Sequence, residues 1–239
     1  MTAKDDIFTT DDKKVALMIW TPSDRLYTSS ECSTDNHQLM SKKVMIKECG
    51  RAQPPHNLQL GPLAMTQLET ERLILRPTTA DDWPQVREFL MCEDTMRHLG
   101  GHQQEPDAWR TLAQWIGVWS LTKAAMFGVI EKSSGEWIGR IGPWHPLHWP
   151  TLEVGWGLRK AYWGQGYAFE AASACIDFAF DELGWDEVTH LIEDANTPSQ
   201  TLAKRLGSEP SEYVHLPGSL SEVRVRVWRQ SKEQWLARK

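Results

Sequence analysis

Hydrophobic and polar positions fall into two regimes along the chain, and the break lies near Met65. Upstream, apolar residues keep no sustained period of 2 or 3.6, and stretches such as "TSSECSTDNHQ" and "RAQPPHNLQLGP" read as loop or disorder. Downstream the pattern sharpens at once. "LETERLILRP" reads as a strand closed by Pro77, and Thr79 then caps a helix with Asp81, Asp82 and Pro84 in its first turn. Trp83, Val86, Phe89 and Leu90 share one side of it. Trp109, Leu112, Ala113, Ile116 and Trp119 recur at three and four, which predicts a second helix from roughly Pro106 to Ser120. Ala124 to Glu131 and Glu136 to Gly142 flank "KSSG" as a hairpin with Gly135 in the turn. The next stretch, "PWHPLHWP", holds three prolines and is expected to stay out of any central strand.

The third quarter is the most informative. Leu152 to Leu158 is an apolar, aromatic strand with glycines at Gly155 and Gly157, whereas Ala168, Ala171, Ala172, Cys175 and Ala179 recur at helical spacing. Between them the chain must turn sharply through Gly164 and Gly166. The helix is expected to run to Leu183 with Gly184 at its C′ position. Val188 to Glu193 reads as a strand; Thr197 caps a short helix with Pro198 at its first position, and Gly207 ends it. "EVRVRVW" alternates as a late, half-exposed strand, and Ser231 with Gln234 forms a capping box before a terminal helix carrying Trp235 and Leu236. The order of elements indicates an α+β domain on a mixed sheet.

Charge and composition sharpen the division. Residues 1–64 hold eight basic and eight acidic residues and one of the thirteen tryptophans, so the whole net charge of −6 belongs to the remainder. They are expected to be an extension, and Met65 a candidate for the natural start. The longest strictly apolar run near the start, Val15 to Trp20, is far below the ~18 residues of a membrane span and follows an acidic opening. The acidic balance, with no basic stripe, argues against a nucleic-acid partner. Four cysteines without a C-x-x-C pair suggest neither a zinc knuckle nor a disulfide framework, and fit a reducing cytoplasm. His145 and His148 lack a third ligand, so no metal is expected.

A glycine turn between strand and helix points free backbone N–H groups one way, and the helix dipole adds roughly half a positive charge, so a phosphate or pyrophosphate is its natural guest. A tight connection without a ligand has the same signature. A Walker loop would need Gly-Lys-Ser/Thr, but Tyr167 and Ala168 follow Gly166; a dinucleotide fold would need glycine where Phe169 stands.

"GLRKAYWGQGYAFEA" resembles the acyl-coenzyme-A-binding motif of the GNAT superfamily of N-acetyltransferases, in the branch of the ribosomal-protein N-terminal acetyltransferases with its W-G-x-G-Y-A-x-E-A run. "LETERLILRP", "GEWIGRIG" and "EDANTPSQTLAKRLG" resemble that branch's opening strand, central hairpin strand and second coenzyme motif, in the right order. The resemblance implies a GNAT-like fold, with a mixed, mostly antiparallel central sheet flanked by helices over residues 65–239, and acetyl-CoA as co-substrate without metal. It implies that Gly164, Gln165, Gly166, Tyr167 and Ala168 hold the pyrophosphate, with Trp163 at the loop's head. Leu158, Arg159 and adjoining backbone would line the pantetheine arm, and Asn196 and Ser199 its other side. The family usually has an aromatic residue where this chain has Ser208, a departure beside the thiol end.

Attack on a thioester needs a neutral amine, so a base is required. Glu153 is the candidate, where the family often has a carboxylate; Trp156 and Val154 are expected to raise its pKa by desolvation. The other reading is a glutamate on the strand's outer face. A bulge near Gly155 to Leu158 is expected to free an amide as oxyanion donor. Tyr213, downstream of the second coenzyme motif, is the candidate acid, and Trp144 and Trp149 are candidates for meeting the acceptor, while Cys175 reads as a small core residue. The expected partners are the donor and an amine acceptor, either a protein N-terminus or a small molecule, for a monomer or homodimer. A non-catalytic coenzyme-binding module and a nucleotide-binding protein are the competing classes.

Overall fold

In the computed structural model, residues 66–238 are described. The proposed extension and the start at Met65 lie outside them. The elements are β1 (Leu68–Glu69), β2 (Leu73–Arg76), α1 (Trp83–Met91), α2 (Glu93–Met96), α3 (Glu105–Val118), β3 (Phe127–Glu131), β4 (Trp137–Trp144), β5 (Glu153–Leu158), α4 (Tyr167–Asp181), β6 (Glu187–Ile192), α5 (Thr197–Leu206), β7 (Glu209–His215), β8 (Arg224–Ser231) and α6 (Lys232–Leu236). One eight-stranded sheet takes the order β1-β2-β3-β4-β5-β6-β8-β7. Every neighbouring pair is antiparallel except β5 and β6, which α4 connects as a parallel crossover. This is the expected α+β class.

Each face of the sheet buries its own apolar set. Leu73, Leu75, Ile141, Val154 and Leu158 pack with Ala171, Ala172, Cys175, Ile176 and Ala179 of α4, so the small-residue stripe of that helix lets it lie close to the strands. Val86, Phe89, Leu90, Leu112 and Trp115 of α1 and α3 cover the opposite face over Ile130 and Trp137. Period-two alternation therefore assigns β5 two surfaces: Val154 belongs to the α4 side, while a Cβ at Gly157 would run into Leu99 and Phe89 on the other.

Three local expectations need correction. β4 continues through Pro143 and Trp144, opposite Val154 and Glu153, although prolines were expected to exclude this stretch. The last pairing of β3 with β4 is Phe127 with Ile141, so Pro143 stands where one flank of its strand is open and its missing N–H costs the ladder nothing. The β4–β5 register is unbroken from Gly139/Leu158 to Trp144/Glu153, so β5 carries no bulge against β4; the irregularity lies between Val129 and Ile130 of β3. Asn196, not Thr197, caps α5, its Oδ1 accepting from the Ser199 amide at 3.2 Å. β7 pairs along the outer side of β8 and was not assigned from the sequence.

Candidate active site

The site grows from one discontinuity in the sheet. β5 and β6 are in register only at Glu153 and Thr189, and beyond that point they part. The Val154 carbonyl faces the gap, where His190 Nδ1 lies 2.7 Å away, so Trp156, two residues on, turns its main-chain groups the same way. The gap opens into a cavity of about 540 Å³. Its walls include Trp115, Arg140, Trp144 and Trp149 at one end and Trp156, Asn196 and Ser199 at the other.

Glu153 lies at the apex. It is 8% exposed, so the reading as an outer-face glutamate fails. Oε2 accepts from Trp149 Nε1–H at 2.7 Å, and the Leu191 amide also donates to the carboxylate. Burial pushes the carboxyl pKa up to about 7, against the pull of the Trp149 and Leu191 hydrogen bonds and of the Arg140 charge. The desolvation was expected from Val154 and Trp156. Alternation turns both of those away, and Glu153 instead shares its face with Gly155 and Gly157. A Cβ at Gly155 would lie 3.0 Å from Glu153 Oε1 and 2.5 Å from the Met126 methyl, so a side chain there would displace both.

The glycine turn forms a second structure at the far end of β5. Gly164 and Gly166 have φ of 72° and 84°, left-handed values that favour glycine, and a Cβ at Gly164 would meet nothing within 4 Å. No side chain caps α4. Its first three amides, those of Tyr167, Ala168 and Phe169, have no partner within the helix by geometry. Among the described residues the amides of Gly164, Gln165 and Gly166 have none either. This open cradle of donors fits a pyrophosphate. Two residues brace it. Trp163, half-exposed, donates Nε1–H to the Leu158 carbonyl at 2.8 Å, and Gln165 Nε2 donates to the Ala161 carbonyl at 2.8 Å. Glu170 accepts from Thr70 Oγ1 at 2.5 Å, from the Arg72 amide at 2.8 Å and from Arg72 Nε at 2.7 Å, which ties the β1–β2 turn to the first turn of α4. Arg72 also donates to the Gln165 carbonyl at 3.0 Å, so a cation stands at the cradle's rim. Arg72 carries no local sequence signal for this role, because only the packing of the β1–β2 turn on α4 brings it there.

The other candidate residues separate into those the cavity gathers and those it does not. Asn196, Ser199, Trp144 and Trp149 line it; Trp156 Nε1–H donates to Ser199 Oγ at 3.1 Å, and the Trp144 and Trp149 rings meet edge-on at 6.2 Å. Leu158 is buried in the core on the α4 side, so only its backbone faces the gap. Arg159 donates to Glu136 at 2.8 Å and to Glu88, which commits its guanidinium away from the cradle. Tyr213 donates to Asp194 Oδ2 at 2.8 Å on β7, outside the cavity walls and away from Glu153. Cys175 is fully buried among core side chains, and its thiol pKa is pushed up by burial.

Ser208 has an unforeseen role. Its buried hydroxyl lies 3.0 Å from His190 Nε2 and accepts from Gln230 Nε2 at 3.0 Å. His190 Nδ1 faces the Val154 carbonyl, which makes Nδ1 the donor and leaves Nε2 to accept from Ser208. Burial drives the His190 pKa down to about 4, so the ring stays neutral and packs 4.6 Å from Trp156. The wall beside the gap is thus aromatic after all, supplied by β5 and β6.

Residues 72–209 match the family model described as the acetyltransferase (GNAT) domain, more than half of the chain. The chain belongs to the GNAT acetyltransferase family. It is 28% identical over 141 residues to the N-acetyltransferase YnaD of Bacillus subtilis, covering 59% of this chain and 81% of that one. An acetyltransferase from Agrobacterium tumefaciens superposes with a TM-score of 0.62 at 30% identity, over 71% of this chain and 96% of the other. A putative ribosomal-protein-serine acetyltransferase from Vibrio cholerae shares the fold with a TM-score of 0.57 at 24% identity, over 70% and 97%. As a GNAT family member the protein is an acyltransferase. Among the described residues no helix is long and apolar enough to cross a membrane, and no group of three His, Cys, Asp or Glu is placed to hold a metal.

Proposed function

We propose that the protein transfers an acetyl group from acetyl-CoA to a primary amine, on a protein N-terminus or a small molecule, by direct attack in a ternary complex. The observation that carries this reading is Glu153: a carboxylate buried at the apex of the β5–β6 gap with a pKa pushed to about 7. At that value Glu153 accepts a proton from an ammonium near neutrality, directly or through one water, which a carboxylate near ~4.3 does poorly. Acetyl-CoA, when bound, supplies an acyl group activated as a thioester. The amides from Gly164 to Phe169 and the Arg72 guanidinium would hold its pyrophosphate, and Asn196, Ser199 and the β5 backbone its arm. The Trp156 amide, turned into the gap, is the donor available to a developing oxyanion.

Tyr213 is left out because its hydroxyl is engaged by Asp194 outside the cavity. The W-G-x-G-Y-A-x-E-A run supports a place near the ribosomal-protein N-terminal acetyltransferases. A cytoplasmic monomer or homodimer completes the reading. Thermal-shift measurements test its first half: acetyl-CoA raises the melting temperature, whereas NAD and ATP leave it unchanged. Free-thiol release with an amine panel tests the second, and stabilisation without turnover of any amine would leave only a coenzyme-binding module.

A further inference from the structure

The cavity contains a cation that the transfer chemistry does not use. Arg140 extends from β4 on the same face as Glu153, and its guanidinium lies 4.1 Å from the Trp115 ring centroid and 5.2 Å from that of Trp144. Nε and one terminal nitrogen donate only to the Met126 sulfur, at 3.0 and 2.8 Å. A thioether is a weak acceptor, and five N–H donors are present. Among the described residues Arg140 forms no ion pair; both acids that face the cavity are engaged, Glu153 by Trp149 and Leu191, Glu193 by His98 at 2.9 Å. A part-buried guanidinium with neither carboxylate nor carbonyl partner is costly unless a ligand completes it.

Trp144 connects this charge to the base. Its ring lies under the guanidinium and edge-on to Trp149, which holds Glu153. The cation and the base therefore face one volume across an aromatic pair. We infer that Arg140 is a specificity determinant for a carboxylate on the acceptor, so that the acceptor is a small amino carboxylate whose amine meets Glu153 while its acid group meets the Arg140 fork. The planar fork matches a carboxylate in two-point geometry, and with the Trp115 and Trp144 rings packed against the guanidinium, its N–H edge is what a ligand would meet. Among the described residues no Lys or other Arg lines the cavity, which matches one negative charge. The inference rests on the transferase reading and deepens it.

The experiment compares matched acceptor pairs in the full-length protein with acetyl-CoA: glycine with methylamine, phenylalanine with phenethylamine, tryptophan with tryptamine, and O-phosphoethanolamine with ethanolamine. In the wild type, kcat/KM is expected to favour the carboxylate member by about ten- to a hundredfold, the range of a hydrogen bond to a charged group. Arg140→Gln brings that ratio to within about threefold of one, and Arg140→Lys, which keeps the charge but loses the fork, falls between. Retention of the acetyl-CoA thermal shift certifies folding. If Arg140→Gln loses it, the Lys variant decides alone, and an unchanged ratio there overturns the inference. Turnover of amines without a carboxylate preference, or a preference that survives Arg140→Gln, also overturns it, as does a phosphate preference larger than any carboxylate one. No turnover of any amine removes the transferase reading itself.

Discussion

The apex of the β5–β6 gap and the glycine turn at the other end of β5 are built from different materials. The turn is made of backbone: two left-handed glycines, an uncapped helix and a row of free amides. The apex is made of side chains: Glu153 held by Trp149 and Leu191, with Arg140, Trp115 and Trp144 beside it. A backbone site is specified by local spacing, since only Gly, and helix-forming residues after it, take those conformations. A side-chain site is specified by which strands lie together, and a change there alters chemistry without altering the cradle. Donor affinity and turnover are expected to separate accordingly.

The largest effect is expected at the apex. Glu153→Gln lowers turnover about a hundredfold or more, the usual worth of a general base, while the acetyl-CoA thermal shift stays within about twofold in apparent affinity. Equal losses in both would erase the distinction between the regions. Gly166→Val makes the opposite change: a β-branched residue at φ 84°, with Arg72 Nη2 3.4 Å from its Cβ, weakens acetyl-CoA binding about tenfold or more. Saturating turnover is expected to change little, as isothermal titration and steady-state kinetics together would show.

Trp149→Phe sharpens the account of the apex. It deletes a 2.7 Å donor to the Glu153 carboxylate, so the pKa of the base rises further and the rising limb of the pH–rate profile moves up by about one unit. A downward shift would mean that Trp149 desolvates the acid more than it stabilises the base. The smallest effect concerns stability. Ser208→Ala orphans His190 Nε2 and Gln230 Nε2 and costs about 1–3 kcal/mol in denaturant unfolding. His190 also sets a pH slope. Its folded pKa of about 4 lies below the ~6.5 of the unfolded chain, so the fold loses stability as pH falls from about 6.5 towards 4.

The same contrast explains what was legible beforehand. The hairpin at Gly135 and the turn at Gly164 follow from period and glycine placement, and the structure keeps them; the single strand expected in "LETERLILRP" instead folds back as the antiparallel pair β1 and β2, and α2 and β7 carry no sequence signal of their own. Glu153 is a candidate in the sequence because it lies on the strand before the turn at Gly164, where the family it resembles often has a carboxylate. Its environment is not legible there: the sequence places Val154 and Trp156 beside it, and only the pleat reveals that they face the other way. Arg72, Arg140 and the His190–Ser208–Gln230 network depend on contacts between distant strands and helices, which no local period encodes. That Pro143 can stand inside β4 depends on where β3 ends, which is a tertiary fact.

The pH dependence of kcat/KM, measured for one turned-over amine in the wild type and in Glu153→Gln, tests the central claim most directly. The account predicts a limb rising with pH through an apparent pKa near 7 in the wild type, which the variant lacks while still binding acetyl-CoA. The same limb in the variant, or a wild-type profile already flat from pH 5 to 8, would contradict it.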